Sequence, residues 1–370
     1  MVVSGEHLYW VGLTVLKGVG DVLAHHLLQY FGSAEEIFKA KRSLLEKVPG
    51  IGVYTAEQIE TAKPEALKRA EKELVFIEKN NINIYLYAGD NYPERLRECQ
   101  DAPVVFYYKG TADINAAKII SIVGTRRITE YGRERTETLV QDLAAIFPDV
   151  VIVSGLAYGI DVCAHRSALK NNLHTIGVLA HGLDRIYPLA HRNIAVEMLN
   201  NGGLLTEFMS ETNPDRENFL QRNRIIAGLS DATIVVESAE KGGALVTADI
   251  AFSYGRDVYA FPGRVTDRCS VGCNRLIQMN KAGLISSAND LAVSLCWDAG
   301  KGVMNRQPSL PFPERPDHPV IRLLEEKGEF HVNQLAVEMN LPVHKLTSML
   351  FELELDGHIK ALPGGIYKLC

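Results

Sequence analysis

Apolar residues fall into short continuous runs along much of the chain: Ile82–Tyr87, Val104–Tyr108, Ile119–Val123, Val150–Val153, Thr175–Ala180, Thr233–Glu237 and Asp257–Phe261. Between several of these the spacing changes to that of a helix. Arg133–Phe147 carries Leu139, Leu143 and Ile146 close to helical spacing, and Val162–Leu169, Ala190–Leu199, Asn218–Leu229 and Ala244–Tyr254 are similar. A strand covered on both faces needs no polar alternation, so apolar runs alternating with helices predict an α/β layer fold with a largely parallel sheet.

The two ends read differently. Residues 1–65 form short helices around two similar phrases, Leu16-Lys17-Gly18-Val19-Gly20 and Val48-Pro49-Gly50-Ile51-Gly52. Each has the look of a helix-hairpin-helix turn, in which glycines turn the backbone tightly at a helix N-terminus. Residues 298–316 hold Pro308, Pro311, Pro313 and Pro316 without periodicity and read as a linker. In 317–370, helices at Val320–Glu326, Val332–Glu338 and Val343–Leu355 precede a hairpin turning at Pro363-Gly364-Gly365, which predicts a winged helix. Residues 66–297 then make the central domain, with 66–115 as its N-terminal extension.

Composition narrows the function. The 370 residues are 46% hydrophobic and 23% charged, with a net charge of -6, which describes a globular protein and not an obvious nucleic-acid binder. The six cysteines lack the C-x2-C spacing of a zinc site, so reduced thiols and no metal are expected. No apolar run reaches the roughly 20 residues that cross a bilayer, and no signal sequence opens the chain. The expectation is a cytoplasmic protein with no membrane association.

Four glycine loops lie where strands should end: Gly124-Thr125-Arg126-Arg127, Ser154-Gly155 through Gly159-Ile160-Asp161, His181-Gly182-Leu183-Asp184, and Lys241-Gly242-Gly243-Ala244. Together they predict phosphate binding at the carboxyl ends of the strands. No G-x-G-x-x-G or G-x4-G-K-[ST] is present, which argues against NAD and ATP as cofactors. In Phe219-Leu220-Gln221-Arg222-Asn223-Arg224, two arginines and amides sit beside an aromatic, a set suited to phosphates and a stacked base. Asp161 and His165 share a helical face, but no nucleophile accompanies them, and Asp161 is expected to cap its helix.

These strings resemble the DprA/Smf (DNA processing protein A) family. The resemblance is carried by Ile122-Val123-Gly124-Thr125-Arg126, Val153-Ser154-Gly155-Leu156-Ala157 with Gly159-Ile160-Asp161, Gly182-Leu183-Asp184 with Ile186-Tyr187-Pro188, Arg222-Asn223-Arg224 through Ser230, Gly242-Gly243-Ala244-Leu245 with Thr247-Ala248, and Pro262-Gly263. With Tyr92-Pro93, Pro103 and Lys109-Gly110, which fit the family's approach to the domain, seven such strings occur in order over about residues 90–285. The resemblance implies a Rossmann-like domain flanked by helix-hairpin-helix (SAM-like) and winged-helix domains. It implies a homodimer that binds single-stranded DNA and loads the RecA recombinase during natural transformation, with no catalysis and no cofactor. By motif position the DNA-binding residues would be Gly124, Thr125, Arg126, Arg127, Gly155, Gly159, Phe219, Gln221, Arg222, Asn223, Arg224, Gly242, Gly243 and Thr247. Leu276, Ile277 and Leu284 are candidates for the dimer face.

A Rossmann-like nucleotide phosphoribohydrolase is the alternative. That family's P-G-G-x-G-T-x-x-E is not matched by Lys241 to Ala248, where no Glu follows Thr247 at that spacing, and Glu237, which precedes the loop, could be catalytic only by a different geometry. In the winged helix, five basic and eight acidic residues over 317–370 favour a protein partner over duplex DNA.

Overall fold

The computed structural model describes residues 5–297, 318–362 and 364–369. The expected linker, 298–316, lies outside the described residues. The chain divides into two compact units, 1–300 and 301–370.

The first unit opens with helices α1 (Gly5–Leu13), α2 (Asp21–Phe31), α3 (Ala34–Lys39), α4 (Arg42–Leu45) and α5 (Val53–Lys79). Both predicted hairpin turns form. Gly18 and Gly50 sit at φ 83° and 89°, a left-handed geometry that favours glycine, and α2 and α5 start just beyond them. Residue 65, where the helical domain was expected to end, falls inside α5. That helix continues because Ala66, Ala70, Leu74 and Ile77 keep the apolar period and share one core with Ile82, Ile84, Val105 and Tyr107. The helical domain is therefore packed on the sheet's first strands.

Then follow β1 (Asn83–Leu86), α6 (Glu94–Arg97), β2 (Val105–Gly110), β3 (Ile119–Val123), α7 (Glu130–Ile146), β4 (Val151–Ser154), α8 (Ile160–Lys170), β5 (Thr175–Val178), α9 (Arg192–Met198), β6 (Gly202–Thr206), α10 (Arg216–Leu229), β7 (Ala232–Val235), α11 (Gly243–Ser253), β8 (Asp257–Ala260), α12 (Val271–Gln278), β9 (Gly283–Leu284) and α13 (Ala288–Ser294). The nine strands order as β1-β2-β6-β5-β4-β3-β7-β8-β9. All neighbours from β6 to β9 pair in parallel, while β1–β2 and β2–β6 are antiparallel. The strands are apolar on both faces because both are covered. Ile119 and Val123 pack towards α10 and α11, and Ile120 and Ile122 towards α7, α8 and α13.

Strand β6 escapes the apolar-run reading because it begins Gly202-Gly203. A Cβ on Gly203 would stand 2.3 Å from the Tyr108 hydroxyl oxygen, so the glycine makes room for a buried tyrosine on the adjacent strand.

The second unit holds α14 (Pro319–Lys327), β10 (Glu329–His331), α15 (Val332–Glu338), α16 (Val343–Leu355), β11 (Ile359–Leu362) and β12 (Ile366–Leu369). Three helices and a three-stranded sheet, order β10-β12-β11, make the predicted winged helix around Val320, Leu335, Leu346 and Leu350.

Candidate nucleic-acid interface

From β3 the chain winds outward through β4, β5 and β6, then returns to place β7, β8 and β9 on β3's other side. The order reverses between β3 and β7, and in open α/β sheets such a switch point leaves a crevice beyond the strands' carboxyl ends. A cavity of about 800 Å³ lies there, between the loops after β3 and β7 and the helix α10. Four cationic side chains (Arg126, Arg216, Arg222, Lys241) and one carboxylate (Asp161) line it, against the chain's overall charge of -6.

Phe219 is half-buried in its wall. The guanidinium carbons of Arg126 and Arg222 lie 5.3 and 5.7 Å from its ring centroid, within cation–π range. Arg126 is exposed and makes no ion pair among the described residues, as is also true of Arg216 and Lys241. Arg222 is buried. It donates to the carbonyl of Gly155 at 2.7 Å and to that of Val178, and its Nε is buried without a partner. Burial lowers its pKa to about 10, with the nearby Asp161 opposing that shift. Helix α11 starts at Gly243 without a side-chain cap, so its positive end opens into the crevice beside Lys241, Gly242 and Thr247.

Nine of the expected residues thus line the crevice: Gly124, Thr125, Arg126, Phe219, Arg222, Asn223, Gly242, Gly243 and Thr247. Gly155 and Gly159 do not. A Cβ at Gly155 would meet Arg222 Nη1 at 2.4 Å, and one at Gly159 would meet the Thr125 carbonyl at 2.1 Å, so both serve the packing of the loops. Arg127 is exposed outside the crevice, and its N–H donates to Thr125 Oγ1 at 3.1 Å.

Arg224 and Gln221 are the larger correction. Residues two apart on a helix point about 200° apart, so Arg222 and Arg224 cannot share a face. The crevice side of α10 is Arg216, Phe219, Leu220, Asn223 and Ile226 with Arg222 at its border. Arg224 faces the helical domain. Its buried guanidinium donates to Asp21 Oδ2 at 2.8 Å, to Glu207 and to the Asp101 carbonyl. Gln221 donates to Glu207 at 3.3 Å. Asp21 begins α2 directly after the first hairpin's Gly20, so this hairpin end meets a cation of its own chain.

Arg216 and Lys241 were missed as site residues. The helical period back from Phe219 points to Arg216, and Lys241 directly precedes the Gly242-Gly243 pair.

Asp161 does not cap its helix. Gly159 holds the cap position, and Asp161 instead accepts from the N–H groups of Gly155 at 3.2 Å and Ala157 at 3.4 Å. His165 is buried against Thr175 Oγ1 at 2.7 Å, and burial, with His191 and Arg222 nearby, lowers its pKa to about 3. It stays neutral at working pH, and it forms no acid–base pair with Asp161. Glu237 is turned away from the crevice, accepting from Thr129 N at 3.1 Å and from Thr129 Oγ1 at the start of α7. A Cβ at Gly132 would stand 2.1 Å from Glu237 Oε2, so that glycine admits the carboxylate. Leu276 is 6% exposed and belongs to the core, which removes it from any dimer face. Ile277 is half-buried, while Leu284 is 56% exposed on the edge strand β9.

At the junction, burial raises the pKa of Glu207 to about 7, with Arg224 opposing that shift and Asp21 adding to it. Its folded pKa exceeds the ordinary value of 4.5, so folding takes up a proton between those limits, and Glu207's contribution to stability falls as pH rises from about 4.5 to about 7. The melting-temperature difference between wild type and Glu207→Gln should therefore shrink across that window and level off above it. A difference that grows with pH would contradict this assignment.

Fold and crevice together define a Rossmann-like protein whose switch-point site is cationic and aromatic-walled, suited to phosphate-bearing chains. The chain belongs to the family described as DNA recombination-mediator protein A, whose sequence profile matches residues 83–295. A SAM-like helix-hairpin-helix tandem matches 12–59, and a DprA winged helix domain matches 305–365. Protein Smf of a Synechocystis strain is 32% identical over 99% of both chains. The X-ray structure of DNA processing protein A from Streptococcus pneumoniae is 31% identical, covering 79% of this chain and 98% of that one, with a TM-score of 0.65. DNA processing protein A from Helicobacter pylori, whose structure gives insight into its single-stranded DNA binding mode, is 30% identical, covering 58% of this chain and 95% of that one, with a TM-score of 0.52.

Proposed function

We propose that the crevice between β3 and β7 binds single-stranded DNA without cleaving it, and that the protein delivers the strand to the RecA recombinase during natural transformation. The observation that carries this is Phe219 standing between the cations of the crevice, with Arg126 and Arg222 both against its ring. A ring offers a base its face, and the exposed Arg126, Arg216 and Lys241 of the same crevice would hold the flanking phosphates, the pairing used by proteins that grip unpaired strands. Bases stacked inside a duplex cannot reach such a ring. The single-stranded DNA binding mode of the Helicobacter pylori relative supports the same reading. Membership of a recombination-mediator family supports the hand-over to RecA. Homodimerisation is proposed at the sheet edge, where Leu284 is exposed and Ile277 half-buried.

The turned-away Glu237 favours binding over base hydrolysis. Equilibrium binding of labelled oligothymidylate and of a duplex tests the proposal. The single strand should bind more tightly, and its affinity should fall with salt at a log–log slope of roughly 0.7 per phosphate held. Tighter binding to the duplex, or release of free base from nucleoside monophosphates, would refute it.

A further inference from the structure

We infer that the outer face of α16 in the winged helix is a docking site for a basic amphipathic helix of a partner protein. The helix anchors itself through Leu346, Leu350 and Leu353, which are 0%, 0% and 6% exposed. At about 100° per residue, Phe351 and Leu355 lie roughly 40° apart on the opposite side. They are 63% and 72% exposed. Two large apolar side chains one turn apart, at the centre of a helix's solvent face, are the anchors a partner's apolar stripe would cover.

Charge identifies the partner. Glu352, Glu354 and Asp356 are all exposed around the same end of the helix, beside Phe351 and Leu355. Lys345 is the helix's one lysine or arginine and stands at the other end, next to His344. The two lysines of the β11–β12 hairpin, Lys360 and Lys368, face each other across that pair. A helix meant for the major groove presents donors and cations outward. This one presents a phenyl ring, a leucine and carboxylates, which repel phosphate and complement lysine and arginine flanking an apolar stripe.

The test uses the full-length protein and three labelled probes. One is a helical peptide with leucines on one face and lysines on the other, the second is its Lys→Glu counterpart, and the third is a duplex oligonucleotide. The basic peptide should bind at least about tenfold more tightly than its acidic counterpart. Phe351→Ala with Leu355→Ala should weaken it by about tenfold or more, leaving oligothymidylate binding and the melting temperature unchanged. Both changed residues point to solvent, so loss of fold is not the expected result. Equal binding of the two peptides would overturn the inference, as would no effect of the double substitution. It also fails if the duplex binds in a manner lost with Lys345→Glu, or if the two anchors prove necessary only for self-association seen by light scattering.

Discussion

Arg224→Met should destabilise the protein by about 3–5 kcal/mol, the usual cost of removing one partner from a buried ion pair. Arg224 is 7% exposed and faces Asp21 and Glu207 together, so its loss leaves both largely buried carboxyl groups without their cation. Burial alone would lower the arginine's pKa, but Glu207, Asp21 and Asp101 outweigh it and hold the group above its ordinary value. The melting temperature should drop by about 10 °C, given a few degrees per kcal/mol for a chain of this size. Glu207→Gln added to Arg224→Met should recover part of that loss, because a neutral amide is cheaper to leave without its cation. The affinity of the folded variant for oligothymidylate should stay within about threefold of wild type, since Arg224 lies outside the crevice. A large loss of affinity with an unchanged melting temperature would return Arg224 to the binding site.

Arg126→Glu should do the reverse. The side chain is exposed, pairs with no carboxylate among the described residues and touches Phe219 through its guanidinium. Stability should change by less than about 1 kcal/mol, as surface substitutions do. A charge-assisted contact to phosphate contributes roughly 1.5–3 kcal/mol, so its loss lowers affinity roughly ten- to hundredfold. Reversal of the charge places the result at the upper end. The effect should be similar for different base sequences, and the salt slope should fall by roughly 0.7 for the phosphate no longer held. Anisotropy titrations across a salt series read all three quantities. Unchanged affinity would remove Arg126 from the strand path.

These two arginines show where the sequence was readable and where it was not. The sheet was legible because parallel strands buried on both faces must be apolar throughout, and Ile119–Val123 is bounded in the structure as its apolar run is in the sequence. Strand β6 was hidden by Gly202 and Gly203, of which the first lies against the Thr175 backbone of β5 and the second makes room for Tyr108 of β2. The end of the helical domain was hidden by α5, whose apolar stripe runs on past the exposed Pro64 and serves the sheet as well as the hairpins. The crevice was legible from its glycine loops, because phosphate-binding turns keep their residues close in sequence. Its sharpest string was misread in part. Arg222 and Arg224 are neighbours in sequence, but the helix turns them apart, one to the crevice and one to Asp21. Arg224's role depends on Asp21, Asp101 and Glu207, which the fold brings together from distant parts of the chain, and no local pattern announces it. The same holds for Gly155 and Gly159, which look like phosphate loops and instead make room for Arg222 and the Thr125 carbonyl.

The net charge of -6 gives the site its character. A chain repelled by DNA over much of its surface must concentrate its attraction, and Arg126, Arg216, Arg222 and Lys241 do so in one crevice, the first and third of them against Phe219. Hydrogen–deuterium exchange with and without oligothymidylate tests this most directly, because it reports where the strand lies along the whole chain. Protection should concentrate on the loop after β3, on the first two turns of α10 and on residues 239–244 at the start of α11. Protection confined to the hairpins of residues 5–79, or to the winged helix of 318–369, would place the strand elsewhere and contradict the account.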